Sequence, residues 1–288
     1  MVNNGHEPIR RVPYLGPEDA PYGIEVMSFA RLRELGPRER RAAPQRPEFH
    51  VLGVVESGTG HHTVDFVRHP LGPGSVLWIR PGVVHRLDGV EDVQGTLVLF
   101  RPDFPPPGVA RTAADDPFGP ACWTVEPART VRLALEHLRA EYAHPGPAGR
   151  AEALRHLLAV LVLRLLPEAS VRAGGASPAA NEVFAAFRAA VERDFRHSRQ
   201  VADYAARLGY APRTLTRATL AATGLTAKRF LDQRVALEAR RLLADGDLSA
   251  ARAAARLGFD DAANFAKFFE RHAGTTPGAF RAEAAGRT

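Results

Sequence analysis

Hydrophobic and polar positions follow two different periods along the 288-residue chain, and the change of period divides it. From Tyr22 to Phe100, apolar and β-branched runs (GIEVMSFARL, FHVLGVVE, HHTVDFVRH, SVLWIR, GTLVLF) are separated by Gly, Pro and Asp turns. Such runs, about 6–9 residues each, predict strands of a small antiparallel sandwich or barrel. Residues 1–21 read as an irregular arm, and RPDFPPPG at 101–108, with Pro117 and Pro120, as an irregular break. The period then becomes helical. Thr130–Tyr142 places Val131, Leu135, Leu138 and Tyr142 on one face. Ala151–Leu166 carries Leu154, Leu157, Leu158, Leu161, Val162 and Leu165, and so must be buried on several sides, against the barrel, a second copy of itself, or both. Residues 167–180, with Gly174-Gly175, read as a flexible linker, and Asn181–Phe195 as an amphipathic helix with Val183, Phe184, Phe187, Val191 and Phe195.

The last third is written twice. AARLGY from Ala205 returns as AARLGF from Ala254, 49 residues on. After the turn the spacing becomes 50: Leu215 matches Phe265, Arg217 matches Lys267, Gly224 matches Gly274, Thr226 matches Thr276 and Phe230 matches Phe280. In each copy a short helix with small residues on one side stops at a glycine, Gly209 or Gly258, where a left-handed backbone is cheap. A second helix follows, started by Pro212 in the first copy and by Asp260 or Asp261 in the second. Helix, glycine turn, helix is the unit whose second helix enters a DNA major groove.

Charge agrees with that reading. Residues 178–288 hold 18 Lys and Arg against 12 Asp and Glu, while residues 1–177 hold 20 of each, so the whole net charge of +6 lies in the helical half. A module that binds phosphates requires such an excess. Cys122, the only cysteine, excludes an intramolecular disulfide and a multi-cysteine metal cluster. No apolar run is long enough for a membrane span and the first residues lack the apolar core of a signal peptide, so a cytoplasmic protein is expected.

Residues 181–283, and above all ARLGFDDAANFAKFFERHAGTTPGAFR, resemble the DNA-binding domain of the AraC/XylS family of bacterial transcription regulators. The resemblance implies two helix-turn-helix units joined by one long helix, at about Ala227–Ala244. The family has an arginine where Val235 stands, with Arg234 before it here, so no specific role is carried over to a linker arginine. The β half resembles the family's cupin-like sensor domain: PGVVH at 81–85, after Gly74, approximates a cupin motif whose histidine can bind metal. The other cupin motif needs His-x-His followed by glutamate, whereas His61 and His62 are adjacent and Asp65 has no clear counterpart. Neither a metal site nor another cofactor is therefore expected. The fold class expected is α+β and multi-domain. A cupin-like sensor with its arm covers 1–125, a helical dimerisation or packing segment 126–166, a linker 167–180, and an all-α double helix-turn-helix domain 181–288.

On the first recognition helix, Arg213, Thr214, Thr216 and Arg217 are expected to face DNA, with Leu215 and Leu220 toward the core. Arginine can pair with two guanine acceptors. The matching positions of the second unit are Ala263, Asn264, Ala266 and Lys267. Asn264 can read adenine or bond a phosphate, and the alanines can touch a thymine methyl. Thr226, Lys228, Arg229 and Thr276 stand at helix starts, where phosphates are held and threonines also cap. In the sensor, Arg46, His50, Trp78 and His85 are expected at a barrel mouth as effector contacts.

The function expected is that of a non-enzymatic, sequence-specific regulator. A small-molecule effector in the barrel governs promoter binding. RNA polymerase is a further partner if the protein activates, and helix 151–166 is a candidate homodimer contact. A cupin-type enzyme fused to DNA-binding helices, and a DNA binder without effector, are the alternatives.

Overall fold

The computed structural model describes residues 9–16, 23–106, 120–126, 129–144, 149–171, 178–245 and 248–286. It divides into two compact units, Arg10–Arg172 and a second containing Ala173–Thr288. Among the described residues no helix is long and apolar enough to cross a membrane.

The first unit is a sandwich of two five-stranded sheets followed by two helices. One sheet has the order β1 (Arg10–Val12), β3 (Gln45–Pro47), β8 (His85–Asp88), β5 (Gly60–Val64), β6 (Val67–Leu71). The other has the order β10 (Cys122–Thr124), β7 (Ser75–Ile79), β4 (His50–Ser57), β9 (Gln94–Phe100), β2 (Ile24–Ser28). Pairing is antiparallel except between β1 and β3. The second sheet is buried on both faces. Leu77, Ile79, Val55 and Leu97 meet Val64, Leu71 and Leu87 of the first sheet. Leu52, Val54, Val76, Trp78, Val98 and Phe100 meet helices α3 (Arg129–Ala143) and α4 (Arg150–Val171). A strand covered on both faces reads as a continuous apolar run, which is why SVLWI shows no alternation.

Helix α4 buries Leu154, Leu158, Leu161, Val162 and Leu165 in that core. It extends to Val171, five residues beyond the expected end at Leu166. Its apolar residues Val160 and Leu163, with Leu133 of α3, are exposed.

Three strand readings change. GIEVMSFARL is half strand and half helix: Ser28 accepts a hydrogen bond from the Arg31 amide at 3.0 Å and starts α1 (Phe29–Glu34), which precedes α2 (Arg38–Ala42). HHTVDFVRH is the hairpin β5–β6, turning at Asp65-Phe66 with φ of 45° and 73°. The sequence lacks the Asn-Gly signature of such a turn. Here tertiary contact holds it, the Asp65 amide donating to the Val84 carbonyl at 2.8 Å. Finally, β1 lies in the expected arm and β10 in the expected irregular segment. Strands of three residues are too short to show a period.

The second unit consists of α5 (Pro178–Asp194), α6 (Val201–Leu208), α7 (Pro212–Thr223), α8 (Ala227–Ala244), α9 (Ala250–Arg256), α10 (Ala262–Ala273) and α11 (Pro277–Gly286). The linking helix has the bounds expected of it.

Buried histidines sit on both faces of the second sheet. On the helix side His50 stacks on Phe100, centroids 4.8 Å apart, and accepts the Trp78 indole N–H at 3.2 Å. Between the sheets His62 and His85 meet edge to face at 5.4 Å, and His62 Nδ1 lies 3.2 Å from Cys122 Sγ. Burial pushes the Cys122 thiol up to about 12, so it stays protonated. Among the described residues no three His, Cys, Asp or Glu side chains converge to hold a metal ion. Burial lowers His50 to about 3, helped by the Arg80 charge, lowers His85 to about 3, and holds His62 well below its ordinary value.

The native unit therefore excludes protons that the unfolded chain binds below its ordinary histidine pKa of 6.5. These groups contribute full stability above that value and lose it as pH falls toward 3. The melting midpoint of this unit should be level above about pH 7 and drop between about pH 6.5 and 5. His50→Gln, which keeps an acceptor for Trp78, should flatten part of the drop in a calorimetric pH series. A midpoint unchanged across that interval contradicts the neutral buried state.

Candidate nucleic-acid interface and sensor cavity

The two helix-turn-helix units have the same backbone logic. Gly209 and Gly258 turn the chain at φ of 71° and 68°, a conformation that costs any L side chain energy. Pro212 is the first helical residue of α7, and Asp261, the second of the two expected caps, accepts the Asn264 amide at 2.6 Å to start α10. Thr226 and Thr276 cap α8 and α11 through the amides of Arg229 and Ala279, at 3.3 and 3.2 Å. The first unit packs through Phe187, Tyr204 and Phe230. The second packs through Phe259, Phe265, Phe269 and Phe280.

On α7, Arg213 and Arg217 are exposed, and Thr214 and Thr216 are half-buried. Leu215 is buried as expected, but Leu220 is 51 % exposed. Ala218 and Thr219 take the core positions instead, because they follow Leu215 by three and four residues, whereas the fifth has rotated off that face. The Thr216 hydroxyl donates to the Pro212 carbonyl at 3.1 Å. On α10, Ala263, Asn264 and Lys267 are exposed and Ala266 half-buried. The Asn264 side-chain amide donates to Asp261, which ties it to the cap. Lys228 pairs with Asp232 one turn along α8. Among the described residues Arg213, Arg217 and Lys267 form no ion pair, so their charges are free for an anionic partner.

The four sensor candidates do not share one site. His50 and Trp78 are buried in the core under the helices, His85 lies between the sheets, and Arg46 donates to the Gly82 carbonyl at 2.9 Å. The expectation placed them together at a barrel mouth. They fall on two sheets: His50 and Trp78, on β4 and β7, face the helix layer together, whereas Arg46 and His85 stand on β3 and β8 of the other sheet.

A cavity of about 400 Å³ lies elsewhere, beneath α3 at the end of β4 and the start of β7. Its walls are apolar, with Val54, Val125, Val131 and Leu135, and charged residues Glu56, Arg132, Glu136 and Arg139 stand at its edge. Arg139 donates to both Glu56 and Thr96. Sequence reading missed this set. The signal was present as the i, i+4, i+7 spacing of Arg132, Glu136 and Arg139 on α3, but Glu56 joins them only by tertiary packing.

The chain matches the family described as "AraC-like ligand binding domain" over residues 28–161 and that described as "Helix-turn-helix domain" over 204–283. It is 30 % identical over 239 residues to the HTH-type transcriptional activator RhaS of Klebsiella pneumoniae, covering 80 % of this chain and 84 % of that protein. RhaS of Citrobacter koseri is 29 % identical over 242 residues, with the same coverage. Among solved structures, the DNA-binding domain of AdpA in complex with a target DNA is 32 % identical, covers 38 % of this chain and 96 % of that one, and superposes with a TM-score of 0.33. ToxT from Vibrio cholerae is 10 % identical, with 90 % and 98 % coverage and a TM-score of 0.43. With an AraC-like ligand-binding domain ahead of two helix-turn-helix units, and a RhaS relative matched along most of both chains, this protein belongs to the AraC/XylS family of transcriptional regulators.

Proposed function

We propose that the protein is a one-component activator, in which a small molecule bound by the N-terminal unit governs how α7 and α10 occupy successive major grooves of a promoter. The carrying observation is the pair of equivalent helix-turn-helix units, turning at Gly209 and Gly258, on either side of the 18-residue helix α8, with cations on both recognition helices that form no ion pair among the described residues. At 1.5 Å per residue α8 is roughly 27 Å long, which with the flanking units suits the ~34 Å repeat of B-DNA. The relatives named transcriptional activators support contact with RNA polymerase in this reading. The sensor unit binds its ligand without transforming it. The effector shifts the population of DNA-competent molecules by binding one arrangement of the protein better.

The cavity beneath α3 is the effector site in this reading. Its apolar walls suit the body of a small amphipathic molecule, and Arg132 and Glu136 at the edge suit a polar end. Selection of bound sites from a random DNA library tests the whole proposal: recovery of a bipartite site supports it, and failure to recover any sequence preference refutes it.

The two units should read unequally. Arg213 and Arg217 offer planar forks that match guanine, whereas the second unit offers alanines and Lys267, a point charge. On the recovered site Arg217→Ala should cost roughly 1–3 kcal/mol and relax the preference at one or two base pairs. Lys228→Ala should weaken all sequences alike and flatten the salt dependence, as a lost phosphate contact does. Single-base variants measured at two salt concentrations decide this, and uniform weakening by Arg217→Ala would place that arginine on a phosphate.

Filling the cavity should abolish the effector response. Leu135→Trp is expected to leave DNA binding by the free protein intact while effector-dependent promoter activity in cells disappears. A variant that still responds fully would move the effector site elsewhere.

The exposed row of Val160, Leu163 and Leu133 is the face for self-association. Mass in solution should fall to that of a single chain when Val160 and Leu163 are both replaced by glutamate, and a wild-type chain that is already monomeric at tens of micromolar refutes the contact. Leu158 and Val162 cannot serve for this test, because they are buried in the unit's own core.

A further inference from the structure

The middle of α8 buries three charged residues, Arg234, Glu238 and Arg241, at positions i, i+4 and i+7. They face the end of α5. Arg234 Nε donates to both carboxylate oxygens of Glu192, at 2.8 and 2.9 Å, and its Nη1 donates to Glu238 at 3.2 Å. The Phe195 ring covers the Arg234 guanidinium at 3.9 Å. Glu238 also accepts from Arg196 at 3.0 Å and lies 3.7 Å from Arg241.

Arg196 belongs to the short turn after α5, and that turn touches both DNA-binding units. On one side the Tyr204 hydroxyl of α6 donates to the Ser198 carbonyl at 2.9 Å, and Arg207 pairs with Asp194 at 2.7 Å. On the other side the Arg196 carbonyl lies against Gly258, where a Cβ would sit only 2.5 Å from it, and the Arg199 guanidinium lies 3.8 Å above the Phe259 ring. One six-residue turn, 194–199, thus meets the first unit, the centre of the linking helix and the turn of the second unit.

Desolvating such a network contributes little to stability, whereas its directed bonds admit few alternative arrangements. We propose that the 194–199 turn, locked to α8 through Glu238, is a clasp that sets the angle between the two recognition helices and so the spacing of half-sites that the protein accepts. Glu238 and Arg196 are positioning residues in this assignment. It rests on the bipartite DNA-binding reading above.

The test uses the full chain and the bipartite site recovered by selection, with its two halves moved apart or together by one and two base pairs. Inserting one base pair rotates one half-site by about 35° around the DNA axis, so wild-type affinity should fall on the order of tenfold per step. Glu238→Gln, close to isosteric, and Arg196→Gln, at a side chain that is half exposed, should reduce that penalty to about threefold or less while affinity for a single half-site stays unchanged. If both variants keep the wild-type spacing profile, or weaken every spacing and the single half-site by one common factor, the clasp is refuted. Arg196→Gln decides the matter should Glu238→Gln not fold. A wild-type protein that selects one contiguous half-site fails the bipartite reading itself, and that outcome is seen before any variant is made.

Discussion

One helix shared by two cores is the constraint on which the DNA-binding half depends. Helix α8 buries twelve of its eighteen residues, more than an amphipathic surface helix would, because each unit packs on it from a different side. Phe230 near its start packs on Phe184 and Phe187 of the first unit, and Ala239, Leu242 and Leu243 are buried toward its end. Such a helix cannot roll without opening both cores. The two recognition helices therefore inherit their separation from a rigid element and not from a flexible connector.

Charge is distributed by the same constraint. Several arginines on the scaffold are engaged: Arg234 with Glu192 and Glu238, Arg207 with Asp194, Arg240 with the His272 carbonyl. Among the described residues, Arg213 and Arg217 on the outward face of α7 form no ion pair. A buried pair projects little field into solvent, whereas an exposed cation keeps it for phosphate and base edges. The arginine-rich composition thus serves two purposes that sequence counting merges into one net charge.

In the N-terminal unit the corresponding constraint is the second sheet, buried by the first sheet on one face and by α3 and α4 on the other. It accounts for the neutral histidines, since a charged imidazole has no solvent on either side. The cavity lies on the helix side of this sheet, between the end of β4 and α3.

The sequence by itself determined the doubled unit, the glycine turns, the bounds of α8, and a β half ahead of a helical half. These are local matters: a left-handed glycine, a helical period and a repeat are properties of neighbouring residues. Only the tertiary structure decided the rest. Whether HHTVDFVRH was one strand or a hairpin depended on Val84 holding the turn at Asp65. His50, Trp78 and His85 looked alike as polar or aromatic strand residues, but the pairing of strands into two sheets put His50 and Trp78 under the helices and His85 between the sheets. Arg234 likewise had no role that its position in a motif could assign. Glu238 stands one turn along the same helix, but Glu192 is brought to it only by the packing of α5 on α8, and a contact between residues 42 apart leaves no periodic trace in the chain.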